Sequence, residues 1–572
     1  MRMLFSYLKP YRWRMALGLS IKVVATLLEL LLPFILSHIL ENVIVTLQIG
    51  RVVFFGVIMI VCAGIACLLN ITANRMAARV SMQFSKKMRQ DLFTKMLYLS
   101  ARDTDKFTIP SLESRITADS YYVHSFISMM QRMGVRAPIL LLGGITITMI
   151  MDSFLSLVMI ATLPFIFVTI FFISKKGIPL YNGVQKSVDS MVRVVREDTQ
   201  GIRVIKALSK NDYENRRYDA VNLKLAKDER KAGIIMGAVN PIMTLLMNMG
   251  IAAVVALSAT RVANHTSSAT TVIAFMQYFT LISMAMMSIA RIFTMYTKCV
   301  ASARRMQEVM STPDGYTVDE KSVSTTDAAH ISMENVCFSY YGKKQNLDNI
   351  SFSLKKGEHL GIIGATGSGK STLVKLLLRF YEVDSGEIKI AGKNIKTYTK
   401  DELTSMIGIA MQNDFLYSDT ILENIKFGRD LSVEAVSRAA KIAQADSFIE
   451  AKEEGYLHKL SPKGTNLSGG QRQRILIARA IAAEPDIIIL DDSSSALDYK
   501  TDANLRRALA NELSGSTVIT VAQRVSSVKN CDLILVLDDG KMIGKGTHEQ
   551  LLDSCPEYKE ISDSQMGGAF VD

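Results

Sequence analysis

The sequence predicts a multi-pass α-helical membrane domain with six transmembrane helices, followed by an α/β domain. Hydrophobic residues make up 49% of the chain, and the mean hydropathy of +0.21 is high for a soluble protein. These residues form long uninterrupted blocks up to about Arg291 and short runs among charges beyond it. At 572 residues the chain is also too long for one ordinary domain.

Six apolar blocks are long enough to cross a hydrocarbon core of about 30 Å at about 1.5 Å per residue. They cover roughly residues 16–40, 52–72, 134–151, 154–173, 234–258 and 271–290. Only Asp152 and Ser153 separate the third block from the fourth, which predicts a tight turn. Lys and Arg concentrate before the first block and in the two long inter-span segments, so both termini should face the cytoplasm. We therefore expect a multi-pass protein of the plasma membrane, in contact with lipids.

The charge and cysteine patterns exclude several classes of protein. The net charge is +12, but the basic residues flank apolar blocks instead of forming a face with interleaved aromatics. This argues against a nucleic-acid partner. The six cysteines form no CxxC pair, which argues against a zinc site or a disulfide framework. The chain does not open with a short apolar segment and cleavage site, so the first block is expected to be a retained span.

Two charges at membrane depth stand out, Glu29 in the first span and Arg291 in the sixth. Such charges are costly and usually face a cavity or a partner. They could contact a charged substrate, or they could form interhelical pairs or a gate. The sequence leaves both interpretations open.

A segment rich in Pro, Gly, Ser and Thr marks the domain boundary. We predict a transmembrane domain over residues 1–310, a linker over 311–328 and an α/β domain over 329–572, which the motifs that follow predict to be a nucleotide-binding domain.

The stretch GATGSGKST at residues 364–372 follows an apolar strand and opens an apolar helix, the context of a P-loop. Its glycines let backbone N–H groups wrap phosphates, and the helix N-terminus favours negative charge. We predict that Lys370 reaches the β- and γ-phosphates of ATP and that Ser371 ligates Mg²⁺. The predicted phosphate-binding residues of the loop are Gly364, Thr366, Gly367, Ser368, Gly369, Lys370, Ser371 and Thr372.

A second motif lies downstream: LSGGQ at residues 467–471, an aliphatic run at 487–490, and then Asp491 and Asp492. This combination resembles the signature and Walker B regions of the ATP-binding cassette (ABC) ATPases. The resemblance implies that Asp491 holds Mg²⁺ through water. It also implies that the signature grips the γ-phosphate of an ATP bound to an opposing cassette, through Ser468, Gly469, Gly470 and Gln471.

Three further segments match the family. Tyr340 matches the aromatic residue that stacks on adenine, with Tyr341 as a substitute. Gln412 matches the Q-loop glutamine, which senses Mg²⁺ and the γ-phosphate and contacts the coupling helices. The stretch SALD at residues 495–498 matches the D-loop.

The order of spans resembles the six-helix transmembrane domain of ABC exporters. In that family each long cytoplasmic excursion carries a coupling helix that rests on an ATPase domain. By resemblance these helices fall near Ser114–Asp119 and Ser209–Tyr213. The chain carries one cassette, which implies a half-transporter that must dimerise.

Three departures from the family pattern matter for catalysis. Asp492 stands where the catalytic glutamate is expected, and Gln523 where the switch histidine is expected. The segment LSPKG at residues 460–464 lacks the usual glutamate before the signature. We predict Asp492, Gln523 and Gln412 as the catalytic residues, with impaired hydrolysis at this chain's own site.

The first two departures fall in the site that this chain's P-loop builds, whereas the intact signature serves the other site. This pattern resembles one subunit of heterodimeric exporters, whose partner carries Glu and His at these positions. The alternative is a homodimer with two slow sites.

The resemblance implies an ATP-driven translocase that exports amphipathic drugs, lipids or peptides by alternating access. The alternatives are a homodimeric lipid or peptide exporter and an importer built on the exporter fold. A soluble ABC ATPase acting in DNA repair or translation is disfavoured by the spans.

Overall fold

The computed structural model describes residues 2–44, 48–263, 269–319, 329–340, 342, 344–412, 414–493 and 495–566. The second half of the predicted linker (320–328), Tyr341 and the last six residues of the predicted nucleotide-binding domain lie outside this range. The chain divides into two compact units. A helical unit comprises Met1–Met96 and Pro110–Thr312, and an α/β unit comprises Leu97–Ile109 and Pro313–Asp572.

The helical unit confirms the predicted class of fold. Within the described residues, six helices or helix series are long and apolar enough to cross a membrane. The helices of this unit are α1 (Arg2–Leu8), α2 (Arg12–His38), α3 (Ile49–Leu97), α5 (Ile109–Ser114), α6 (Ser120–Met133), α7 (Arg136–Met151), α8 (Ser153–Gln200), α9 (Ile202–Ala207), α10 (Asn211–Gly237), α11 (Val239–Ala263) and α12 (Ala269–Met310). Helix α9 lies between the fourth and fifth of these spans. Helix α4 (Ala101–Phe107) belongs to the α/β unit.

The turn between α7 and α8 forms where Asp152 was predicted to end the third span. The Asp152 carboxylate accepts hydrogen bonds from the backbone N–H groups of Phe154 and Leu155, at 3.0 and 3.2 Å. It thus satisfies donors that the first turn of α8 leaves unpaired.

Close packing of α7 on α12 builds the centre of the helical unit. A Cβ atom on Gly144 would lie 2.9 Å from Cγ1 of Ile282, so only glycine allows this approach. Tyr278 on α12 is fully buried, and its hydroxyl donates to the carbonyl of Leu30 on α2 at 2.7 Å. These contacts hold α2, α7 and α12 together.

The predicted position of the first coupling segment is wrong. Residues 115–119 form one π-helical turn inside the helical unit, where the Asp119 carboxylate is buried. That carboxylate accepts hydrogen bonds from Ser302 and from Nε of Arg305, both at 2.8 Å, so the turn is tied to α12. The segment that joins the α/β unit is instead Leu97–Ile109.

Helix α4 lies in that segment and is capped by Ser100, whose hydroxyl accepts from the N–H of Asp103 at 3.0 Å. The hydroxyl of Tyr381 donates to the Asp105 carboxylate. The ammonium of Lys400 lies 5.4 Å from the ring centre of Tyr98. The second predicted segment, Ser209–Tyr213, spans the break between α9 and α10, where Ser209 has a φ of 50°.

The described part of the α/β unit contains two sheets. The strands are β1 (Ile331–Phe338), β2 (Leu347–Leu354), β3 (His359–Gly364), β4 (Ser385–Ile390), β5 (Lys393–Asn394), β6 (Ile407–Ala410), β7 (Ile487–Asp491), β8 (Thr517–Val521), β9 (Leu533–Asp538) and β10 (Lys541–Gly546). The first sheet has the order β2-β1-β4-β5, and the second has the order β10-β9-β3-β8-β7-β6. The remaining helices of the α/β unit are α13 (Lys370–Leu377), α14 (Lys400–Met406), α15 (Ile421–Lys426), α16 (Val433–Ile442), α17 (Asp446–Glu450), α18 (Gly469–Ile481), α19 (Tyr499–Glu512), α20 (Val525–Val528), α21 (His548–Ser554) and α22 (Pro556–Met566).

The larger sheet positions the functional residues. Strands β3, β8 and β7 are parallel neighbours, with Val521 paired to both Ile362 and Asp491. Ligands of parallel sheets bind beyond the carboxyl ends of the strands. The loops that follow β3, β7 and β8 therefore emerge together at one edge.

Candidate functional site

The loop between β3 and α13 forms a cradle that requires glycine. Gly367 and Gly369 have φ values of 89° and 103°, in the left-handed region. A Cβ atom on Gly369 would also lie 2.8 Å from Cδ2 of Leu347. Ser368 is buried, and its hydroxyl has no hydrogen-bond partner among the described residues. A loop with a buried hydroxyl that has no partner, and with no Cβ atoms at Gly367 and Gly369, fits a phosphate chain.

Lys370 begins α13 and folds back over this loop. Its ammonium donates to the carbonyls of Gly364 and Ala365, both at 2.8 Å. Burial lowers the pKa of Lys370, and the nearby carboxylates of Asp492 and Asp491 oppose that shift. The ammonium thus lies among the backbone groups that would surround phosphates, and a polyanion there would stabilise its charge.

Strand β7 carries Asp491 to the same edge, where the residue is 6% exposed. The hydroxyl of Ser371 donates to it at 3.3 Å. Burial raises the pKa of Asp491, with a further contribution from the charge of Asp492, while the Ser371 hydrogen bond opposes the shift. A hydroxyl and a carboxylate are the oxygen ligands that Mg²⁺ prefers, so the pair fits this ion.

Three separate stretches of sequence meet at the carboxylate of Asp492. Its Oδ2 atom accepts hydrogen bonds from the side-chain amides of Gln412 at 2.8 Å and Gln523 at 3.2 Å. Its backbone has a φ of 48°, and its N–H donates to the carbonyl of Val521 at 2.9 Å. Burial raises the pKa of Asp492, and the two amides and nearby cations oppose the shift. The predicted catalytic residues therefore lie together.

These residues line one cavity of about 330 Å³. Of the predicted site residues, its walls contain Thr366, Gly367, Gly369, Lys370, Ser371, Thr372, Gln412, Asp491, Asp492 and Gln523. Ser368, which is buried, and Gly364, the last residue of β3, do not line it.

Tyr340 does not line this cavity. Its ring is packed edge-on against Phe338 and Tyr381, with centroid distances of 4.9 and 5.0 Å. Its hydroxyl lies 3.3 Å from Oγ1 of Thr372, which does line the cavity. The predicted adenine-stacking residue is thus beside the phosphate loop, with its ring in an aromatic cluster. Tyr341, the alternative, lies outside the described residues.

The signature lies elsewhere in the unit. Ser468 caps α18, and its hydroxyl accepts from the N–H of Gln471 at 3.3 Å, while the Gln471 side chain accepts from the N–H of Ser468 at 3.0 Å. A Cβ atom on Gly470 would lie 3.1 Å from the carbonyl oxygen of Ala496 in the D-loop. Among the described residues, none of positions 467–471 borders the cavity around Lys370. Within one chain, the signature and the phosphate-binding loop therefore do not border the same cavity.

Sequence reasoning missed residues on the far wall of the cavity. Lys344 forms an ion pair of 2.7 Å with Asp539, and both border the cavity with Asn346 and Gly540. The N–H of Gly540 donates to the carbonyl of Ser368 at 3.1 Å, which supports the loop from behind. Asp-Gly is a turn signal, but nothing in its sequence context relates it to a loop more than a hundred residues upstream.

Comparison with known proteins identifies the family. Residues 15–286 match the family model described as the ABC transporter transmembrane region, and residues 347–495 match the model described as ABC transporter. The chain belongs to the ABC transporter family. It is similar to the uncharacterized ABC transporter ATP-binding protein YfiB of Bacillus subtilis, with 33% identity across 99% of both chains. It is also 31% identical to an uncharacterized ABC transporter ATP-binding protein of Mycobacterium tuberculosis, across 100% of this chain and 99% of the relative.

The fold of this ABC transporter chain resembles that of a solved structure described as a bacterial Atm1-family ABC exporter with ATP bound. The TM-score is 0.83, the identity is 23%, and the match covers 97% of this chain and 98% of the other. The chain is thus an ABC transporter with an exporter fold, made of a membrane domain and an ATPase domain.

Proposed function

We propose that this chain is one half of an ATP-driven exporter of amphipathic substrates in the plasma membrane, with both termini in the cytoplasm. The observation that carries the proposal is the combination, among the residues that the structure describes, of six membrane-length helices and the cavity around Lys370. Drugs, lipids and peptides are the substrate classes that suit an apolar helical unit. Transport direction separates export from import on the same fold.

The cavity residues have distinct roles in this proposal. The backbone of residues 364–369 and the ammonium of Lys370 bind the phosphates of ATP. Ser371 and Asp491, with Gln412 nearby, hold Mg²⁺, which supplies neutralising charge to the phosphate oxygens when bound. Asp492 orients the attacking water. Tyr340, whose hydroxyl lies beside Thr372 of the phosphate loop, would provide stacking for adenine.

We infer that hydrolysis at this chain's own site is impaired. The side chain of Asp492 is one methylene shorter than glutamate, so its carboxylate lies about 1.5 Å further from the attacking water. The same carboxylate oxygen already accepts two amide hydrogen bonds, from Gln412 and Gln523. Gln523 can donate to a phosphate oxygen but carries neither a proton for transfer nor a positive charge. This site should therefore bind ATP well and hydrolyse it slowly.

We further propose that the partner is a distinct half-transporter that carries the catalytic glutamate and histidine. The separation of the signature from the cavity in one chain supports a dimer, because each signature must then serve the other chain's nucleotide. The intact Ser468–Gln471 segment would complete the partner's competent site. A homodimer with two slow sites is the alternative.

The test of this function is transport in inverted membrane vesicles. Vesicles that contain this chain and its partner should accumulate an amphipathic substrate when ATP is supplied, and Lys370→Ala should abolish the accumulation. ATP-dependent loss of preloaded substrate from the same vesicles would mean import. Purification of this chain alone as a dimer with full, substrate-stimulated ATPase activity would mean that no distinct partner is needed.

A further inference from the structure

Five polar residues converge between three of the helices that are long and apolar enough to cross a membrane. Lys22 and Glu29 lie seven residues apart on α2, and Asn70 and Asn74 lie four apart on α3, so each pair shares one helix face. Arg136 begins α7. Membrane-spanning helices seldom carry such residues unless they face one another or a cavity.

The carboxylate of Glu29 is neutralised within this group. One of its oxygens accepts from the amide of Asn70 at 2.8 Å, and the other accepts from Nε of Arg136 at 3.1 Å. The charges of Glu29 and Arg136 therefore compensate each other.

The ammonium of Lys22 has a different environment. Lys22 is 4% exposed, and it donates to Oδ1 of Asn70 at 2.6 Å and to Oδ1 of Asn74 at 3.2 Å. Both partners are neutral amides, which use two of the three ammonium donors within the described part of the chain. The group as a whole retains one positive charge, buried beside dipoles. A buried charge without a counter-charge is costly, so an anion at this place would be stabilised.

A cavity of about 410 Å³ opens beside this group. Its polar wall consists of Lys22, Glu29, Asn70, Asn74 and Arg136. The rest of the lining is apolar or weakly polar, with Leu32, Ala63, Ala66 and Cys67. A ligand that matched both the polar and the apolar part of this lining would carry a compact anionic group on an apolar body.

We propose that Lys22, held by Asn70 and Asn74, binds the phosphate or carboxylate of an amphipathic anion in this cavity. The inference rests on the proposed transport function and specifies its substrate class. Arg136, which is paired with Glu29, borders the same anion and helps to position its phosphate or carboxylate. Glu29 thus acts as an interhelical partner that holds Arg136.

The test uses the full-length transporter, with its partner if one is required, in nanodiscs of zwitterionic phosphatidylcholine. Radiolabelled dodecyl phosphate serves as the probe, and equilibrium binding is measured without ATP. Unlabelled dodecanoate should compete with it, whereas dodecyltrimethylammonium should not. Inorganic phosphate should compete at least about a hundredfold more weakly, because it lacks the apolar body. Equal competition by the trimethylammonium compound or by inorganic phosphate would overturn the proposal.

Variants at one position test the assigned residue. Lys22→Met should weaken dodecyl phosphate binding about tenfold or more, the effect of losing one charge-assisted hydrogen bond. Lys22→Arg should keep the affinity within a few-fold, as should the control Lys175→Met on the exposed surface of α8. An unchanged affinity in Lys22→Met would overturn the proposal.

ATP binding and turnover, measured on the same samples, separate this inference from the proposed function. Intact turnover without a preference for anions would refute only the inference. Selective anion binding in a protein that does not bind ATP would support the cavity assignment and refute the proposed function. The competition experiment on the unmodified protein needs no variant, so misfolding of Lys22→Met leaves it decisive.

Discussion

Lengthening the side chain at position 492 by one methylene should raise hydrolysis at this chain's own nucleotide site. Asp492→Glu would advance the carboxylate by about 1.5 Å, from the position in which it accepts from Gln412 and Gln523. A displacement of about 1 Å from productive geometry can cost about a hundredfold in rate. The substitution should therefore recover up to about a hundredfold, or about 2.7 kcal/mol of transition-state stabilisation.

The assay must isolate this site from the partner's site. Ser468→Ala in the same chain damages the signature that serves the partner's nucleotide, so the remaining turnover comes from the cavity around Lys370. The ATPase rate of the double variant Ser468→Ala/Asp492→Glu is then compared with that of Ser468→Ala alone. Ser468→Ala/Asp492→Asn is the matched control and should show no gain. If the glutamate variant is no faster than the control, the length of the side chain at position 492 does not limit hydrolysis at this site, and the prediction is refuted.

Three further outcomes are expected. Lys370→Ala should weaken binding of a fluorescent ATP analogue by about tenfold to a hundredfold, because its ammonium lies over the phosphate loop; unchanged affinity would contradict its role. Gly470→Ala should lower the ATPase rate of the complex roughly tenfold, because its Cβ would press on the carbonyl of Ala496 at 3.1 Å, whereas Gly515→Ala, with open space around it, should not. Burial lowers the pKa of His330 below 6.5, so the stability it contributes is complete above about pH 6.5 and is lost as the pH falls below that value. His330→Gln should therefore flatten the decline in thermal unfolding temperature between about pH 7 and pH 5, and an equally steep decline would count against this assignment.

The parts of the structure that were predictable depend on local signals. A span needs only a contiguous apolar block, and the P-loop needs only a few adjacent residues between a strand and a helix. The turn at Asp152 was equally local, because the residue caps the helix that follows it. These features could be predicted without knowing how the helices pack.

The features that escaped prediction depend on contacts between distant residues. The sequence marks Glu29 as an unusual charge at membrane depth, but its partners Asn70 and Arg136 lie on other helices. Lys22 lies near the start of a span, and the sequence alone does not relate it to this group. The coupling segment was misplaced because Arg115–Asp119 and Leu97–Ile109 both follow a charged helical pattern. The burial of Asp119 against α12 and the assignment of Leu97–Ile109 to the α/β unit distinguish them.

The sequence predicts that Gln412, Asp492 and Gln523 lie in one site, but it does not predict how their side chains contact one another. Family resemblance placed all three near the γ-phosphate. The resemblance did not indicate that both amides donate to one oxygen of Asp492. That arrangement depends on the order of β6, β7 and β8 in the sheet, which the sequence alone does not specify.

The central claim is that the two ends of the stretch from Ser468 to Asp492 serve two different nucleotides. It is tested most directly by the steady-state ATPase rate of the purified complex carrying either Ser468→Ala or Asp492→Asn in this chain. We predict that Ser468→Ala nearly abolishes turnover, because it damages the competent site, and that Asp492→Asn reduces it far less. Equal losses from the two substitutions would contradict the asymmetric account.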